Sequence, residues 1–255
     1  MFIGSMWGLY LVSSWFEADI WTSEQLDGTW GSLIWLGITF FLCVGIYTIS
    51  THEKYGGWSN LDDHEASGAR KFWDAHWSSM MIGLAFIFAL VIRIQWYIVP
   101  SMNAFGTGNW DMTGGSDPWY MKRVVDYILA NNAHLVFDAD RAYPLGGVNP
   151  RPPLFTWSIA IGAMILEPML GDDAVWYAIL GLPAIYGALT IFPIATIAKD
   201  NFGKSAGVVA AWLIAFMPAH VSHSTWALAD HDAFVMLFIS MGFMFWFKAI
   251  QHSGN

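Results

Sequence analysis

The chain has 255 residues, 56% of them hydrophobic and 12% charged, with 16 Trp, 18 Phe and a formal net charge of −9. So much apolar surface cannot be hidden in a soluble core of this length, and several runs are long enough to cross about 30 Å of hydrocarbon, so the composition describes a polytopic, all-α protein of the lipid bilayer. The acidic balance excludes a basic face for nucleic acid, and the single cysteine, Cys43, excludes an intrachain disulfide and a cysteine-based zinc site.

The amino end, MFIGSMWGLYLVSSWF, has neither a basic n-region nor a small-residue cleavage site, and residues 2–16 read as a membrane or interfacial segment. Further apolar runs cover 30–50, 78–99, 154–170, 174–198, 205–222 and 232–250. Lys199 and Lys204 flank the short turn AKDNFGKSAG, the loop 51–77 carries Lys54, Arg70 and Lys71, and Lys248 ends the last run, whereas 17–29 has no basic residue. The positive-inside bias then puts those basic parts in the cytoplasm and residues 100–173 outside as one long loop. The run 154–170 ends in Glu167-Pro168 and is expected to lie on the outer leaflet as an interfacial helix, because a full crossing would place Asp117 and Asp230 on opposite faces. Arg93 and Gln95 are expected to snorkel from the outer end of 78–99 to the headgroups.

Acidic residues at the mouths of apolar runs are the chemistry-bearing feature. Asp117 precedes Pro118 and WYMKRVVDYIL, which predicts a helix capped by Asp117, with GTGNWDMTGGSD ahead of it supplying glycines for close approach of a ligand. Asp230 and Asp232 bracket His231 between two spans, and hard oxygens beside an imidazole suit Mn²⁺ or Mg²⁺. The plain alternative is a pair of helix caps in solvated turns. His220 and His223, three apart at the end of the preceding span, read as interfacial residues or as donors behind the acids. Lys122 and Arg123 lie one turn after Asp117, with Arg141 and Arg151 later in the loop, and such charges suit a phosphate or pyrophosphate headgroup or a solvated helix face.

The run GSDPWYMKRVVDYIL, then AYPLGG, KDNFGKSAG, GVVAAWLIAFMPAHVSHSTW and ADHDAF, in that order, resembles the amino-terminal part of the catalytic subunit of oligosaccharyltransferase in its archaeal form, over roughly residues 78–250. The resemblance implies a C-type glycosyltransferase fold with a long external first loop. It also implies transfer of an oligosaccharide from a dolichol phosphate or pyrophosphate to the Asn of an Asn-X-Ser/Thr acceptor in translocated proteins, at the outer face of the cell membrane. The implied cofactor is Mn²⁺ or Mg²⁺. The family's first acidic motif maps onto Gly115-Ser116-Asp117 and its second onto Asp230-His231-Asp232. Asp117 and Asp230 are thereby implied as catalytic, Asp117, Asp230 and Asp232 as metal ligands, and His231 and His223 as further ligands or their supports. Lys122 and Arg123, from their charge one turn after Asp117, are the expected lipid-phosphate contacts. Residues 1–77 read as additional amino-terminal membrane segments with a cytoplasmic loop, and 78–255 as the amino-terminal part of the transferase domain. A later external acid and a W-W-D-x-G motif belong to the same resemblance and do not occur in these 255 residues. The chain is accordingly expected to be part of a longer enzyme and inactive alone. Other readings are a lipid-phosphate-sugar transferase acting on a hydroxyl, a transporter, and a non-catalytic membrane subunit. A transporter calls for charges at mid-membrane rather than at span mouths.

Overall fold

The structure, a computed structural model, describes residues 68–94, 101 and 103–253, and it is predominantly helical. The expected spans 2–16 and 30–50 lie outside the described residues. The chain divides into two compact units, Met1–Trp77 and Ser78–Asn255. Of the first unit the amino-terminal turns of helix α1 (Gly68–Ile94) are described, where His76 Nδ1 lies 2.9 Å from the Phe72 carbonyl and its ring stacks on Phe72.

Among the described residues three helical stretches are long and apolar enough to cross a membrane: Ala75–Ile94, Pro153–Phe202 and Asp232–Gln251. The second is a series of helices: α3 (Pro153–Leu170), a short 3₁₀ turn (Gly171–Asp173), α4 (Ala174–Leu189) and α5 (Ile191–Phe202). Helices α3 and α4 run antiparallel, since the Tyr186 hydroxyl donates to Ser158 Oγ at 2.9 Å and Gly162 faces Ala178 and Leu182. A methyl group on Gly162 would stand 2.9 Å from Leu182 Cδ1, so the absent side chain sets how closely these helices approach.

The expected span 174–198 is divided at Thr190. Proline lacks the N–H that would bond four residues back and its ring crowds that carbonyl, so Pro193 cannot continue a ladder onto Leu189, where α4 ends. The expected span 205–222 is divided in the same way into α6 (Lys204–Phe216) and α7 (Pro218–Ser222). Met217 precedes Pro218 and takes the extended conformation that such residues favour (φ −59°, ψ 115°). Helix α8 (Asp232–Ser253) closes the described chain and packs on α4 and α5.

Helix α2 (Ser116–Asn131) lies against α3, joining Met121, Val124, Val125 and Ile128 to Phe155, Ile159, Ala160, Ile179, Leu180 and Phe234 in one apolar core. It stops at Asn132, a left-handed cap (φ 52°) whose N–H returns to the Ile128 carbonyl. A two-residue ladder, β1 (Phe137–Asp138) with β2 (Gly147–Val148), pairs antiparallel beyond it. Helix α3 also turns Leu154, Ile161, Met164, Ile165 and Met169 outward, an apolar face suited to lipid.

Arg93 overturns its expected position. Its side chain does not reach for headgroups but is 1% exposed, held inside the second unit by Ser224 and two backbone carbonyls.

Candidate functional site

The loop before α2 and the segment before α8 are joined by backbone. The N–H of Thr113 donates to the Ala227 carbonyl at 2.9 Å, and the N–H of Ala227 donates to the Leu180 carbonyl at 3.0 Å. Ala227 adopts a left-handed conformation (φ 72°), which turns the chain so that both its polar groups find partners. Gly114, also at positive φ, sits where a β-carbon would be 2.2 Å from Leu228 Cδ1. Glycine is needed there for both conformation and space.

These ties bring the two acidic motifs to one opening. Asp117, Tyr120, Arg141, Arg151 and His231 line a shared cavity of about 370 Å³. Asp117 is not the helix cap that the sequence suggests. The helix begins at Ser116, the capping position belongs to Gly115 with no side-chain bond, and Asp117 stands in the first turn, where the helix dipole still favours a carboxylate. Its Oδ2 meets Arg151 Nη2 at 2.7 Å.

Asp230, His231 and Asp232 present one ligand atom each within 4.8 Å of one another, all partly buried. Donors opposite each other across a small divalent cation lie about 4.2 Å apart, so the set needs shifts of only tenths of an ångström to share one ion. Asp230 Oδ1 accepts from the His231 backbone N–H at 2.7 Å and lies 2.6 Å from His231 Nδ1. His223 Nδ1 lies 3.0 Å from Asp232 Oδ2. Each carboxylate of the pair thus has an imidazole beside it. Asp117 is not a member of that close group; it faces the same cavity as His231 from across the opening.

His220 and His223 part company despite their spacing. His220 is buried, with Nε2 3.0 Å from the Gly187 carbonyl, whereas His223 is exposed and reaches Asp232. Lys122 and Arg123 are engaged away from the cavity. Lys122 pairs with Asp126 at 2.6 Å and lies 4.5 Å above the Trp176 ring. Arg123 makes a two-pronged contact with Asp138 at 2.9 and 2.8 Å and a third bond to Asp140 at 2.6 Å. The cations that line the cavity are Arg141 and Arg151. No local periodicity connects Arg151 to Asp117; the prolines around it in NPRPP, which hold the backbone extended, are the one trace in the sequence.

The Arg123–Asp138 pair anchors the ladder β1–β2 to α2. The Arg123 hydrogen bond holds the nearly inaccessible Asp138 carboxyl below its usual range, against the opposing effect of burial, with the Asp140 and Arg141 backbone N–H groups assisting. The same bonds raise Arg123.

A family profile described as the amino-terminal region of oligosaccharyl transferase STT3 matches residues 84–255. The dolichyl-phosphooligosaccharide-protein glycotransferase 3 of Archaeoglobus fulgidus is 31% identical over 166 residues, which are 64% of this chain and 18% of that protein. The STT3 subunit of the Saccharomyces cerevisiae dolichyl-diphosphooligosaccharide–protein glycosyltransferase is 27% identical over 157 residues, 54% of this chain and 20% of the yeast subunit. The chain therefore spans about a fifth of the length of these relatives. Among solved structures, the archaeal oligosaccharyltransferase AglB of A. fulgidus, in complex with an inhibitory peptide and a dolichol-phosphate, superposes with a TM-score of 0.54 at 25% identity, over 64% of this chain and 18% of that one.

A group whose folded pKa is lowered contributes stability that is present above its unfolded pKa and lost as pH falls through the folded value. Acidification below about pH 4 is therefore expected to release the segment 137–148, read as faster proteolysis of its exposed turn. Asp138→Asn should make that segment labile at neutral pH and abolish the acid step; an unchanged acid profile in this variant would contradict the assignment.

Proposed function

The chain belongs to the oligosaccharyl transferase STT3 family, and we propose that it forms the part of a membrane glycosyltransferase where an oligosaccharide leaves a dolichol phosphate or pyrophosphate for the asparagine of an Asn-X-Ser/Thr acceptor. The observation that carries this reading is that Asp117 and His231, far apart in sequence, line one cavity with Arg141 and Arg151. An acceptor amide and an anionic leaving group must be held together, and a cavity combining the Asp117 carboxylate with two guanidinium groups supplies partners of both signs. Its volume is at the lower end of the range for small-molecule sites.

Asp230, Asp232 and His231 would hold a divalent cation, Mn²⁺ or Mg²⁺, with Asp117 closing the site from the other loop. When bound, that ion supplies positive charge to the departing phosphate oxygens. Arg141 and Arg151 stand where their guanidinium forks can bind phosphate oxygens in two-pronged fashion, whereas Lys122 and Arg123 are engaged by Asp126 and Asp138. Asp117 and Asp230 accept hydrogen bonds from the two amide N–H bonds of the asparagine, orienting its nitrogen toward the anomeric carbon. The new C–N bond forms as the C–O bond to phosphate breaks, and the amide proton passes to a carboxylate. The A. fulgidus relative, which holds a dolichol-phosphate and a peptide, supports the choice of substrates.

A polytopic C-type fold with the site on the outer face accommodates the helices. An odd number of crossings between Asp117 and His231 would separate them across the bilayer, and their shared cavity supports two: α4 with α5, and α6 with α7. On this reading helix α3, folded back on α4, does not complete a crossing of its own, and its apolar face meets lipid.

Two measurements test the reading. Manganese bound by the purified chain in lipid nanodiscs, followed by electron paramagnetic resonance, should weaken at least about tenfold in Asp230→Asn. Any product carrying the chain, given dolichol-linked glycan and Mn²⁺, should glycosylate an Asn-X-Thr peptide, with Asp117→Asn and Asp230→Asn each costing about 100-fold or more. Transfer to a serine hydroxyl instead would replace the acceptor class, and binding indifferent to Asp230 would remove the metal site.

The orientation is read by labelling. A cysteine placed at Gly115 in a Cys43→Ser background should react with an impermeant reagent applied outside cells, and one placed at Asn201 should not; the reverse pattern would overturn the outer-face assignment.

A further inference from the structure

We propose that Arg93 and Ser224 together are a positioning pair that holds the segment bearing Asp230, His231 and Asp232 in register with the loop bearing Asp117. Arg93 sits near the end of α1, inside an apolar run. Its Nε donates to Ser224 Oγ at 2.8 Å, and its Nη1 donates to the carbonyls of Ala89 at 3.0 Å and Ala215 at 3.3 Å. Ala215 lies in the last turn of α6, where the break at Met217 frees its carbonyl from the helical ladder. A guanidinium there satisfies the orphan oxygen and complements the negative end of the helix.

Arg93 grips the next segment with its backbone too, since its carbonyl accepts the Trp226 N–H at 2.8 Å. The following residue, Ala227, makes the bonds to Leu180 and Thr113 that unite the two acidic motifs. One arginine therefore fixes Ser224 by side chain and Trp226 by main chain, immediately before the junction. Ser224 in turn donates to the His220 carbonyl, which secures the end of α7. Gly187 leaves room for this contact: a β-carbon there would stand 2.4 Å from Ser224 Cβ and 2.9 Å from Arg93 Nε.

A buried cation is costly unless something requires it. No carboxylate among the described residues pairs with Arg93, and its Nη2 is buried without a partner among them. What it gains is geometry, because a guanidinium donates in three fixed directions at once. Lysine cannot span Ser224, Ala89 and Ala215 together.

The consequence for catalysis rests on the function proposed above, but the positioning itself does not. Hydrogen exchange of the chain in nanodiscs reads it directly. In Arg93→Met and Arg93→Lys, amides of 111–116 and 224–231 should exchange about tenfold faster, the loss of one charge-assisted hydrogen bond, while those of 159–163 and 178–184 keep their protection. Ser224→Ala should shift the same two segments by less, and Gly187→Ala should shift them from the opposite side. If Arg93→Met fails to fold, Arg93→Lys and Ser224→Ala decide. Manganese affinity should fall with the exchange, by about tenfold in Arg93→Lys. Unchanged exchange at 111–116 and 224–231, or an equal rise throughout the fold, would overturn the proposal. A wild-type chain that binds no manganese would defeat the metal reading alone, leaving the exchange pattern to decide this one.

Discussion

Everything at the site depends on the pairing of Ala227. Buried main-chain polar groups must find partners, and in an apolar interior the cost of leaving one unpaired is on the order of 1–3 kcal/mol. Ala227 is 3% exposed, and its two groups go to two different places: the N–H to α4 and the carbonyl to the loop that leads into α2. A single residue thereby ties the second acidic motif to the core and the first acidic motif to the second. The left-handed backbone needed for this costs about 1–2 kcal/mol in a residue with a β-carbon. That strain is tolerated because the bonds on either side fix the turn, with Arg93 upstream and the close passage of Leu228 over Gly114 downstream.

The charge arrangement follows from that geometry. Asp230 and Asp232 lie together, and Asp117 faces the same cavity as His231, in a chain whose net charge is already −9. Each is met by a nitrogen group from a different part of the fold: Arg151 from the stretch before α3, His231 from its own turn, His223 from the end of α7. His223 is exposed, whereas Arg151 and His231 are partly buried at the edge of the cavity they line. The pair Arg123–Asp138 behaves differently. Its carboxylate is almost inaccessible, and its work is to brace the loop from which Arg141 reaches the cavity.

How much of this was legible in the sequence depended on whether the signal was local. Apolar runs located α1 and α3 to α8, Asp117-Pro118 marked the start of α2, and acids at the mouths of apolar runs pointed to the cavity, because hydropathy and a carboxylate beside a helix start are written within a few residues. The divisions at Thr190 and Met217 were written too, in Pro193 and Pro218, but length and hydropathy mask a proline inside a long apolar run. What the sequence hides is partnership. Arg93 and Gln95 share one expectation because both sit near the end of a span, and only the approach of Ser224, 131 residues later, makes Arg93 an interior residue. Lys122 and Arg123 lie near Asp117 in the chain, yet helix rotation turns them toward Asp126 and Asp138, and Arg151 takes the place beside Asp117. The identity of the family was legible because several motifs occur in order, each weak alone.

The union of the two acidic loops is tested most directly by a covalent trap at their meeting point. With Cys43 replaced by serine, Thr113→Cys and Ala227→Cys should form a disulfide under mild oxidation in the folded, membrane-embedded chain, since the backbones of these residues are joined by a hydrogen bond of 2.9 Å. Pairing Thr113→Cys with Gly242→Cys on α8 should give no bridge. Quantitative bridging of the first pair alone is the result predicted. A folded protein in which Thr113→Cys and Ala227→Cys remain free thiols would contradict the account, because Asp117 and Asp230 would then belong to separate places.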